Sequence, residues 1–356
     1  MKSIAIFQSD LRVGGIQKAL LNFITSLDGE EYQVDLYLFD KDNFYQTTLP
    51  KYVTTYYLPS LKYYTRFIKF GMLFRIFAKN FLPINLSKKC YDVAIDFNGY
   101  RNECALGALY VQAAKRVLWI HSDFKMKWEN EKRYRVSWFF SKGKFKKFDA
   151  FAAVSQGAAD SFQEMVSGMQ KPIWIIPNFI DKDEILQKSN QPVNFVTDSH
   201  FLNFVSVGRL SATKGYDDLI EMMGRIHKKR PDIRLYILGD GPIREHLKNQ
   251  INQLHLEQVV FLLGNQKNPY AFMKKMDAFV LNSRYEGQGI VIQEARCIGL
   301  PVFIPKRLEK YNPMIEGYED LESAILHAEN CLKKEDDLSA YNQQSLRQVI
   351  ELLQKH

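Results

Sequence analysis

The chain contains two successive series of short apolar runs, and in each series the runs alternate with helical patterns. In the first half the apolar runs occupy residues 3–7, 34–39, 91–97, 116–121, 149–154 and 172–176. The second half repeats the arrangement at residues 204–210, 233–239, 259–264 and 277–283. Segments of helical periodicity lie between runs, for example 16–27, 215–229 and 242–254. Strands that alternate with helices predict an α/β fold, with parallel sheets covered by helices on both faces.

The two series indicate two domains, because 356 residues exceed what one hydrophobic core usually organises. The polar, pattern-poor segment 177–200 is interpreted as the linker between them. We therefore expect a doubly wound N-terminal domain over residues 1–182 and a second over residues 183–340. A C-terminal helix, residues 341–356, is expected to pack back toward the first domain. In doubly wound sheets, ligands bind at the carboxyl ends of the strands.

Cysteine spacing and hydropathy restrict the class of protein. The cysteines have no paired or metal-ligand spacing, which is typical of buried thiols in a reducing compartment. The N-terminus turns polar after four apolar residues, too early for a signal peptide. The chain has no run of 18 or more apolar residues, the length that a membrane-spanning helix needs. These features predict a cytoplasmic protein, either soluble or peripheral at a membrane.

The excess of positive charge is confined to the first half of the chain. The net charge is +8, and residues 1–182 alone hold 26 Lys/Arg against 17 Asp/Glu. The remainder holds 22 Lys/Arg against 23 Asp/Glu and is almost neutral. This asymmetry predicts an anionic partner for the first half.

Two cations follow the first strand of the second half, in the stretch VGRLSATKG (207–215). Arg209 leaves the end of that strand, and Lys214 stands just before the next helix. Both are therefore expected at the carboxyl edge of the sheet. A guanidinium fork and a mobile ammonium suit a diphosphate, and a solvated surface loop is the alternative explanation.

Two carboxylates lie in the stretch NSRYEGQGIVIQEARC (282–297). The glycines in it argue against one uniform helix. Glu286 is therefore placed in a loop, and Glu294 about a turn and a half into the helix that follows. Three backbone N–H groups at the start of that helix are expected to point outward unpaired, which suits a phosphate. They belong to Gln288, Gly289 and Ile290.

A pair of glycines, Gly14 and Gly15, opens a helix directly after the first strand. Glycine lets the backbone approach a phosphate or a sugar closely. The third glycine of the dinucleotide-binding pattern is absent. A plain strand-to-helix turn explains the pair equally well.

In combination, these stretches resemble the GT-B glycosyltransferases of family 4 type. The resemblance covers residues 1–305 and is densest over 204–302. It rests on the two glutamates separated by seven residues, on the preceding Arg/Lys loop, and on the stretches LGDGP (238–242), WIHSD (119–123), VSQGAADSF (154–162) and IPNFID (176–181). It implies a GT-B fold, in which two Rossmann-like domains face each other across a cleft. The first would bind the acceptor and the second the nucleotide sugar.

The resemblance also implies roles for single residues. Glu286 would contact hydroxyl groups of the donor sugar, and Glu294 those of the ribose. Arg209 and Lys214 would stabilise the departing diphosphate. His121, at the end of a first-half strand, would contact the donor near the reacting centre. The remaining donor contacts would come from Gly15, Asn265, Gln288, Gly289 and Ile290.

The family retains anomeric configuration and needs neither a bound metal nor another cofactor. The expected reaction is therefore transfer of a hexose from a nucleotide sugar, and UDP is the expected nucleotide. The chain departs from the family's pattern after GLPV (299–302). No donor contact is carried over to residues 303–320.

A basic and aromatic segment, residues 61–83, predicts the acceptor side. It carries Lys62, Arg66 and Lys69 among apolar side chains, which is typical of a helix on an anionic membrane surface. An ordinary surface helix is the alternative. A second such stretch, residues 125–147, and Gly14 are assigned to the same side. We expect a lipid-linked glycan acceptor and no nucleic acid, because no nucleic-acid motif is present.

The expected process is assembly of a bacterial capsule, exopolysaccharide or lipopolysaccharide. Two alternatives remain open. One is a catalytically idle GT-B subunit that binds or stabilises a partner, against which the four charged residues of the second half argue. The other is a sugar-nucleotide epimerase of similar fold, which would not need a basic, aromatic first half.

Overall fold

The computed structural model describes residues 1–12, 14–41, 49–58, 89–166, 168–312, 314–329, 333 and 335–354. The chain divides into two compact units. The first comprises Met1–Phe179 and Asn342–His356, and the second comprises Ile180–Tyr341. In the described ranges, no helix is both long enough and apolar enough to cross a membrane.

The first unit is built on one parallel sheet. Its strands are β1 (Lys2–Gln8), β2 (Tyr32–Leu38), β3 (Val53–Tyr57), β4 (Cys90–Asp96), β5 (Gln112–Ile120), β6 (Ala150–Ala153) and β7 (Ile173–Ile175). They follow the order β3-β2-β1-β4-β5-β6-β7. β1 pairs in parallel with β2 and β4, so that Ile4 stands opposite Val34 and Val93.

Helices connect these strands. The described α-helices of the first unit are Gly15–Thr25, Asn102–Tyr110, Phe124–Asn130, Lys132–Ser141 and Gln156–Met165, and a 3-10 helix spans Lys142–Lys147. Aromatic side chains fill the space between sheet and helix. Phe23 packs on Phe97 and on Trp119, with ring centroids 5.6 and 4.9 Å apart. The apolar strands of this sheet are buried, as expected when helices cover both faces.

The second unit repeats the design on a smaller scale. Its strands are β8 (Leu202–Val207), β9 (Ile233–Leu238), β10 (Val260–Gly264), β11 (Ala278–Val280) and β12 (Val302–Phe303), in the order β10-β9-β8-β11-β12. All neighbours are parallel. Its α-helices are Lys182–Ser189, Tyr216–Lys229, Arg244–Gln253, Pro269–Lys274, Ile290–Cys297 and Leu321–Leu326, with 3-10 helices at Ala212–Lys214 and Lys306–Tyr311. The α/β prediction is confirmed in both halves.

The helix Tyr216–Lys229 illustrates why the predicted elements form. Its buried side chains recur at helical spacing and pack on the sheet: Leu219, Ile220, Met223 and Ile226. Acidic residues stand in its first turn, and His227, Lys228 and Lys229 stand in its last. Both placements favour the helix dipole.

The interpretation of residues 177–200 as a plain linker is wrong. Lys182–Ser189 is an α-helix that contacts the helices Pro269–Lys274 and Ile290–Cys297. The Asp181 side chain caps it by accepting the N–H of Glu184 at 2.9 Å. Ile185 is buried and supplies the apolar contact that the polar composition had hidden. A helix of eight residues with one buried anchor gives little periodic signal.

The last helix, Ser339–Gln354, runs from the second unit into the first. Two lysines of the first sheet donate to carbonyl oxygens of its final turn. Lys115 reaches Leu352 at 2.6 Å, and Lys2 reaches Leu353 at 3.2 Å. Cations at a helix C-terminus are favoured by the helix dipole and by its unpaired carbonyl groups.

Candidate functional site

Glu286 and Lys214 form an ion pair at the carboxyl edge of the second sheet. The Lys214 Nζ lies 2.6 Å from Glu286 Oε1, and the side chains are 20% and 11% exposed. The Ser283 hydroxyl donates to the same carboxylate oxygen, also at 2.6 Å. Two donors therefore fix this carboxylate, and the pair is partly removed from water. The structure thus brings together two of the charges that the sequence placed at this edge.

The backbone permits this approach because of Gly215, which has a left-handed φ of 61°. A Cβ at this position would lie 2.5 Å from the carbonyl oxygen of Asn282. The loop that carries Lys214 therefore contacts the loop that carries Glu286 directly, backbone against backbone. Any residue other than glycine would separate the two loops.

Glu294 lies on the helix Ile290–Cys297. This helix directly follows residues 281–289, the loop that carries Glu286 (the Glu286 loop). The Tyr270 hydroxyl donates to Glu294 Oε1 at 2.8 Å, which orients this carboxylate. Gln288, in the turn before the helix, donates through Nε2 to the Tyr341 hydroxyl at 2.5 Å. The placement of Glu286 in a loop and Glu294 in the following helix is as the glycine pattern indicated.

The expectation of three unpaired N–H groups at this turn is wrong for Ile290. Its N–H donates to the Gln288 carbonyl at 2.9 Å, because the chain closes a tight turn before the helix begins. Gly289 is the residue that precedes the helix, and its own carbonyl accepts the N–H of Ile292 at 2.8 Å. Ile290 therefore does not offer its N–H group to an anion in this conformation.

Arg209 and Asn265 are exposed at the carboxyl edge, after β8 and β10 respectively. Arg209 makes no ion pair with any residue that the structure describes. Its guanidinium is thus available at the same edge of the sheet at which Lys214 and Glu286 form their ion pair. Both residues lie at the strand ends at which the sequence placed them.

Two arginines that the sequence reasoning missed hold the Glu286 loop. Arg284 lies 2.7 Å from Asp217 and 2.8 Å from Asp218, and it also donates to the Ala212 carbonyl. Arg307 donates to the Asn282 carbonyl at 2.9 Å and to the Ser283 carbonyl at 3.1 Å.

Arg307 lies in the segment that departs from the family's pattern. It donates to the Asn282 side chain as well, at 2.6 Å. These contacts join segments that are distant in the sequence, and no local signal in the sequence pointed to them.

Replacing Arg307 by alanine is expected to loosen the Glu286 loop. The loop would lose three hydrogen bonds from a charged donor, so amide exchange over residues 282–286 should accelerate by about tenfold. Hydrogen exchange with mass spectrometry measures this. Lys306→Ala is the matched control, because Lys306 is exposed and, among the described residues, forms its ion pair with the neighbouring Glu309 at 3.1 Å. Equal exchange in both variants would contradict the assigned role.

In the first unit, polar side chains gather at the carboxyl edge of β1, β4 and β5. The Asn98 amide donates to Gln8 Oε1 at 2.8 Å. His121 follows β5 and packs on the Phe97 ring, with centroids 4.7 Å apart. Burial lowers the pKa of His121 to about 3, which keeps its imidazole neutral. Gly14 and Gly15 lie at the same edge, at the start of the helix after β1.

Asp96 is fully buried at this edge and predicts a pH dependence of stability. Its Oδ1 accepts the N–H groups of Asn98 and Gly99 at 3.0 and 2.9 Å. Burial raises the pKa of Asp96 to about 6, against the opposing positive charge of Lys144. Because the folded-state pKa lies above the unfolded value, this group costs stability as the pH rises from about 4 to 6.

The Asp96→Asn variant is therefore expected to gain stability relative to the parent protein as the pH rises. The difference in free energy of unfolding should move in its favour by up to about 3 kcal/mol between pH 4 and pH 7. Urea unfolding at several pH values measures it. Asp160→Asn, at an exposed position, is the control. A difference that is flat or of opposite sign would contradict the assignment.

The predicted membrane residues Lys62, Arg66 and Lys69 lie outside the described residues. The second basic stretch, 125–147, is described. It forms all but the first residue of the helix Phe124–Asn130, the helix Lys132–Ser141 and the 3-10 helix Lys142–Lys147.

Two family models match the chain, one for each half. Residues 13–184 match Glycosyltransferase Family 4, and residues 188–353 match Glycosyl transferases group 1. A solved structure of similar fold is Anabaena Alr3699/HepE in complex with UDP and glucose. Its TM-score is 0.69 at 17% identity, and the match covers 99% of this chain and 100% of that one.

Two curated relatives are similar over part of the chain. One is an uncharacterized glycosyltransferase, MJ1059, of Methanocaldococcus jannaschii, 40% identical over 133 residues, which is 36% of this chain and 32% of that protein. Another, from Campylobacter jejuni, is named N-acetylgalactosamine-N,N'-diacetylbacillosaminyl-diphospho-undecaprenol 4-alpha-N-acetylgalactosaminyltransferase. It is 32% identical over 154 residues, 43% of this chain and 40% of that protein. The matched part of this chain thus spans less than half the length of either relative. With both halves matched and the fold in agreement, the chain belongs to the glycosyltransferases of GT-B fold and family 4 type.

Proposed function

We propose that this chain is a retaining, metal-independent glycosyltransferase that transfers a hexose from a UDP-sugar. The acceptor is a lipid-linked or glycan intermediate in the assembly of a bacterial surface polysaccharide. The observation that carries the proposal is the ion pair of Lys214 with Glu286, held at 2.6 Å at the carboxyl edge of the second sheet. Glu294 follows in the next helix, and the family resemblance assigns it to the ribose.

Lys214 has two partners in this proposal. Without a ligand its ammonium neutralises Glu286, which makes the carboxylate tolerable at 11% exposure. A donor diphosphate offers the same ammonium a second anion, and Arg209 adds a fork of N–H donors. Glu286 then directs its carboxylate to hydroxyl groups of the sugar. Ser283 keeps that carboxylate oriented, since its hydroxyl donates to Oε1.

Glu294 recognises the nucleoside part of the donor in this account. A carboxylate can accept both hydroxyl protons of a ribose. The Tyr270 hydroxyl donates to Oε1 at 2.8 Å and fixes the plane of the carboxylate before the donor arrives. Such preorganisation reduces the entropy that binding costs. Asn265 and Gly15 remain predicted donor contacts.

The transfer step breaks the bond between the anomeric carbon and the diphosphate oxygen and forms a bond to the acceptor oxygen on the same face. The acceptor's hydroxyl proton passes to the departing phosphate oxygen. Negative charge grows on the diphosphate as the bond breaks, and Lys214 and Arg209 stabilise it most at that point. The neutral His121 is proposed as a hydrogen-bonding group toward the donor, a role that its low pKa suits.

Two features support the finer parts of this proposal. The structure of Anabaena Alr3699/HepE contains UDP and glucose, which supports UDP as the nucleotide. The Campylobacter jejuni relative is named for a diphospho-undecaprenol substrate, which supports a lipid-linked acceptor. Because an acceptor of this kind lies in a membrane, the proposal places the chain at the inner face of one, with anionic lipid as a partner and no nucleic acid.

The test is a turnover assay with UDP-hexoses, a polyprenyl-diphosphate-linked glycan in detergent, and EDTA. The proposal expects UDP release that depends on the acceptor, and a product with the anomeric configuration of the donor by NMR. Appearance of an epimer without acceptor would identify the epimerase alternative instead. UDP-sugar binding without any turnover on a panel of acceptors would favour the idle subunit.

A further inference from the structure

The outer surface of the helix Lys132–Ser141 carries two large apolar side chains in solvent. Val136 is 62% exposed and Phe139 is 69% exposed. They are three residues apart and therefore lie on the same face of the helix. Trp138, on the opposite side, is buried against Phe124 and Phe145, which attaches the helix to the first unit.

The apolar surface continues beside these two residues. A shallow groove of about 580 Å³ is lined by Trp128, Val136, Trp138, Phe139 and Met165, with charged groups at its margin. Arg135 lies on the Trp128 ring at 4.9 Å and donates to the backbone carbonyls of Trp128 and Glu129. These contacts join the helix Lys132–Ser141 to the preceding helix, Phe124–Asn130, and hold the aromatic side chains of the groove in place.

Positive charge surrounds this patch. Residues 125–147 contain nine Lys/Arg and two Glu, a net charge of +7 in a chain whose total is +8. The exposed cations on and after the helix are Lys132, Arg133, Arg135, Lys142, Lys146 and Lys147. The Lys142 ammonium lies 5.8 Å from the Phe139 ring, so charge and apolar surface are adjacent.

We propose that this surface, the exposed side of residues 132–147, docks onto an anionic lipid bilayer. Val136 and Phe139 enter the boundary between headgroups and acyl chains, and the cations around them contact anionic headgroups. Both features are needed to choose the partner. A nucleic acid satisfies the cations and leaves the exposed aliphatic and aromatic side chains in water, whereas a bilayer takes up both.

The inference rests on the proposed function in one respect. A lipid-linked acceptor requires the enzyme at a membrane, and this surface belongs to the unit predicted to bind the acceptor. The surface lies within residues 125–147, the second basic stretch that the sequence assigned to the acceptor side. The test below measures the two questions separately, so that either can fail alone.

The experiment is sedimentation of the full chain with vesicles of phosphatidylcholine alone or mixed with phosphatidylglycerol. The parent protein is expected to bind the vesicles that contain phosphatidylglycerol at least tenfold more tightly than those of phosphatidylcholine alone. The double variant Val136→Ser, Phe139→Ser should lose at least fivefold of that affinity. So should Lys132→Gln, Lys146→Gln, Lys147→Gln. Matched controls in the second unit are Val196→Ser, at an 88% exposed position, and Lys228→Gln with Lys248→Gln.

A duplex DNA titration separates a bilayer from a general polyanion. The serine double variant should bind DNA as the parent does, because its cations remain. Vesicle binding by that variant equal to the parent's, or no vesicle binding by the parent, would overturn the proposal. All variants should keep the parent's UDP affinity. If the parent protein itself did not bind UDP, that result would instead count against the proposed function.

Discussion

Replacing Glu286 by glutamine is expected to lower the turnover of sugar transfer by about 100-fold while UDP affinity changes less than threefold. Glutamine keeps the volume and one hydrogen-bond acceptor, and it loses the charge that pairs with Lys214 at 2.6 Å. The sugar hydroxyls would then meet a weaker acceptor, and Lys214 would lose its resting partner. UDP itself does not contact Glu286 in the proposed arrangement.

The measurement is steady-state transfer together with calorimetric titration of UDP. Glu257→Gln is the matched control, since Glu257 is exposed before the amino end of β10, at the opposite edge of the sheet. The control should retain both turnover and UDP affinity. If Glu286→Gln weakened UDP binding as strongly as turnover, the separation of sugar and nucleotide recognition would be wrong.

Replacing Glu294 by alanine is expected to have the complementary effect. Loss of a charged pair of hydrogen bonds to the ribose should weaken UDP binding by about 1–3 kcal/mol, or about 5-fold to 150-fold in Kd. Tyr270→Phe should weaken it less, because the Glu294 carboxylate remains and loses the 2.8 Å hydrogen bond that orients it.

Titration with UDP alone measures both variants, with Glu257→Ala as control. The order of Kd values expected is Glu294→Ala above Tyr270→Phe above the control. A Glu294→Ala protein that binds UDP as tightly as the control would remove this residue from the nucleotide site. Circular dichroism of each variant confirms that the helix Ile290–Cys297 and its neighbours remain folded.

Elements with strong local periodicity could be predicted from the sequence. The helix Tyr216–Lys229 buries residues at helical spacing and carries charges that suit its dipole at both ends, so several local signals agree. The strand ends then placed Arg209, Lys214 and Asn265 at one edge, because parallel strands end on the same side of a sheet. The glycines between Glu286 and Glu294 indicated that the first lies in a loop and the second in the following helix.

Features that depend on distant partners could not be predicted. The helix Lys182–Ser189 has few apolar residues and is held by contacts to two helices much further along the chain. Arg284 and Arg307 are ordinary surface cations in the sequence, and only the fold brings them to carbonyl groups of distant loops. Ile290 was misjudged because the turn before its helix closes with a local hydrogen bond.

The central claim, that the second unit holds a site for a nucleotide sugar, is tested most directly by calorimetric titration with UDP and UDP-hexoses in the presence of EDTA. We expect micromolar binding of UDP and of one UDP-hexose, weakened in Glu294→Ala and in Arg209→Ala and unchanged in Glu257→Ala. Absence of binding by any of these nucleotides to the folded parent protein would contradict the claim.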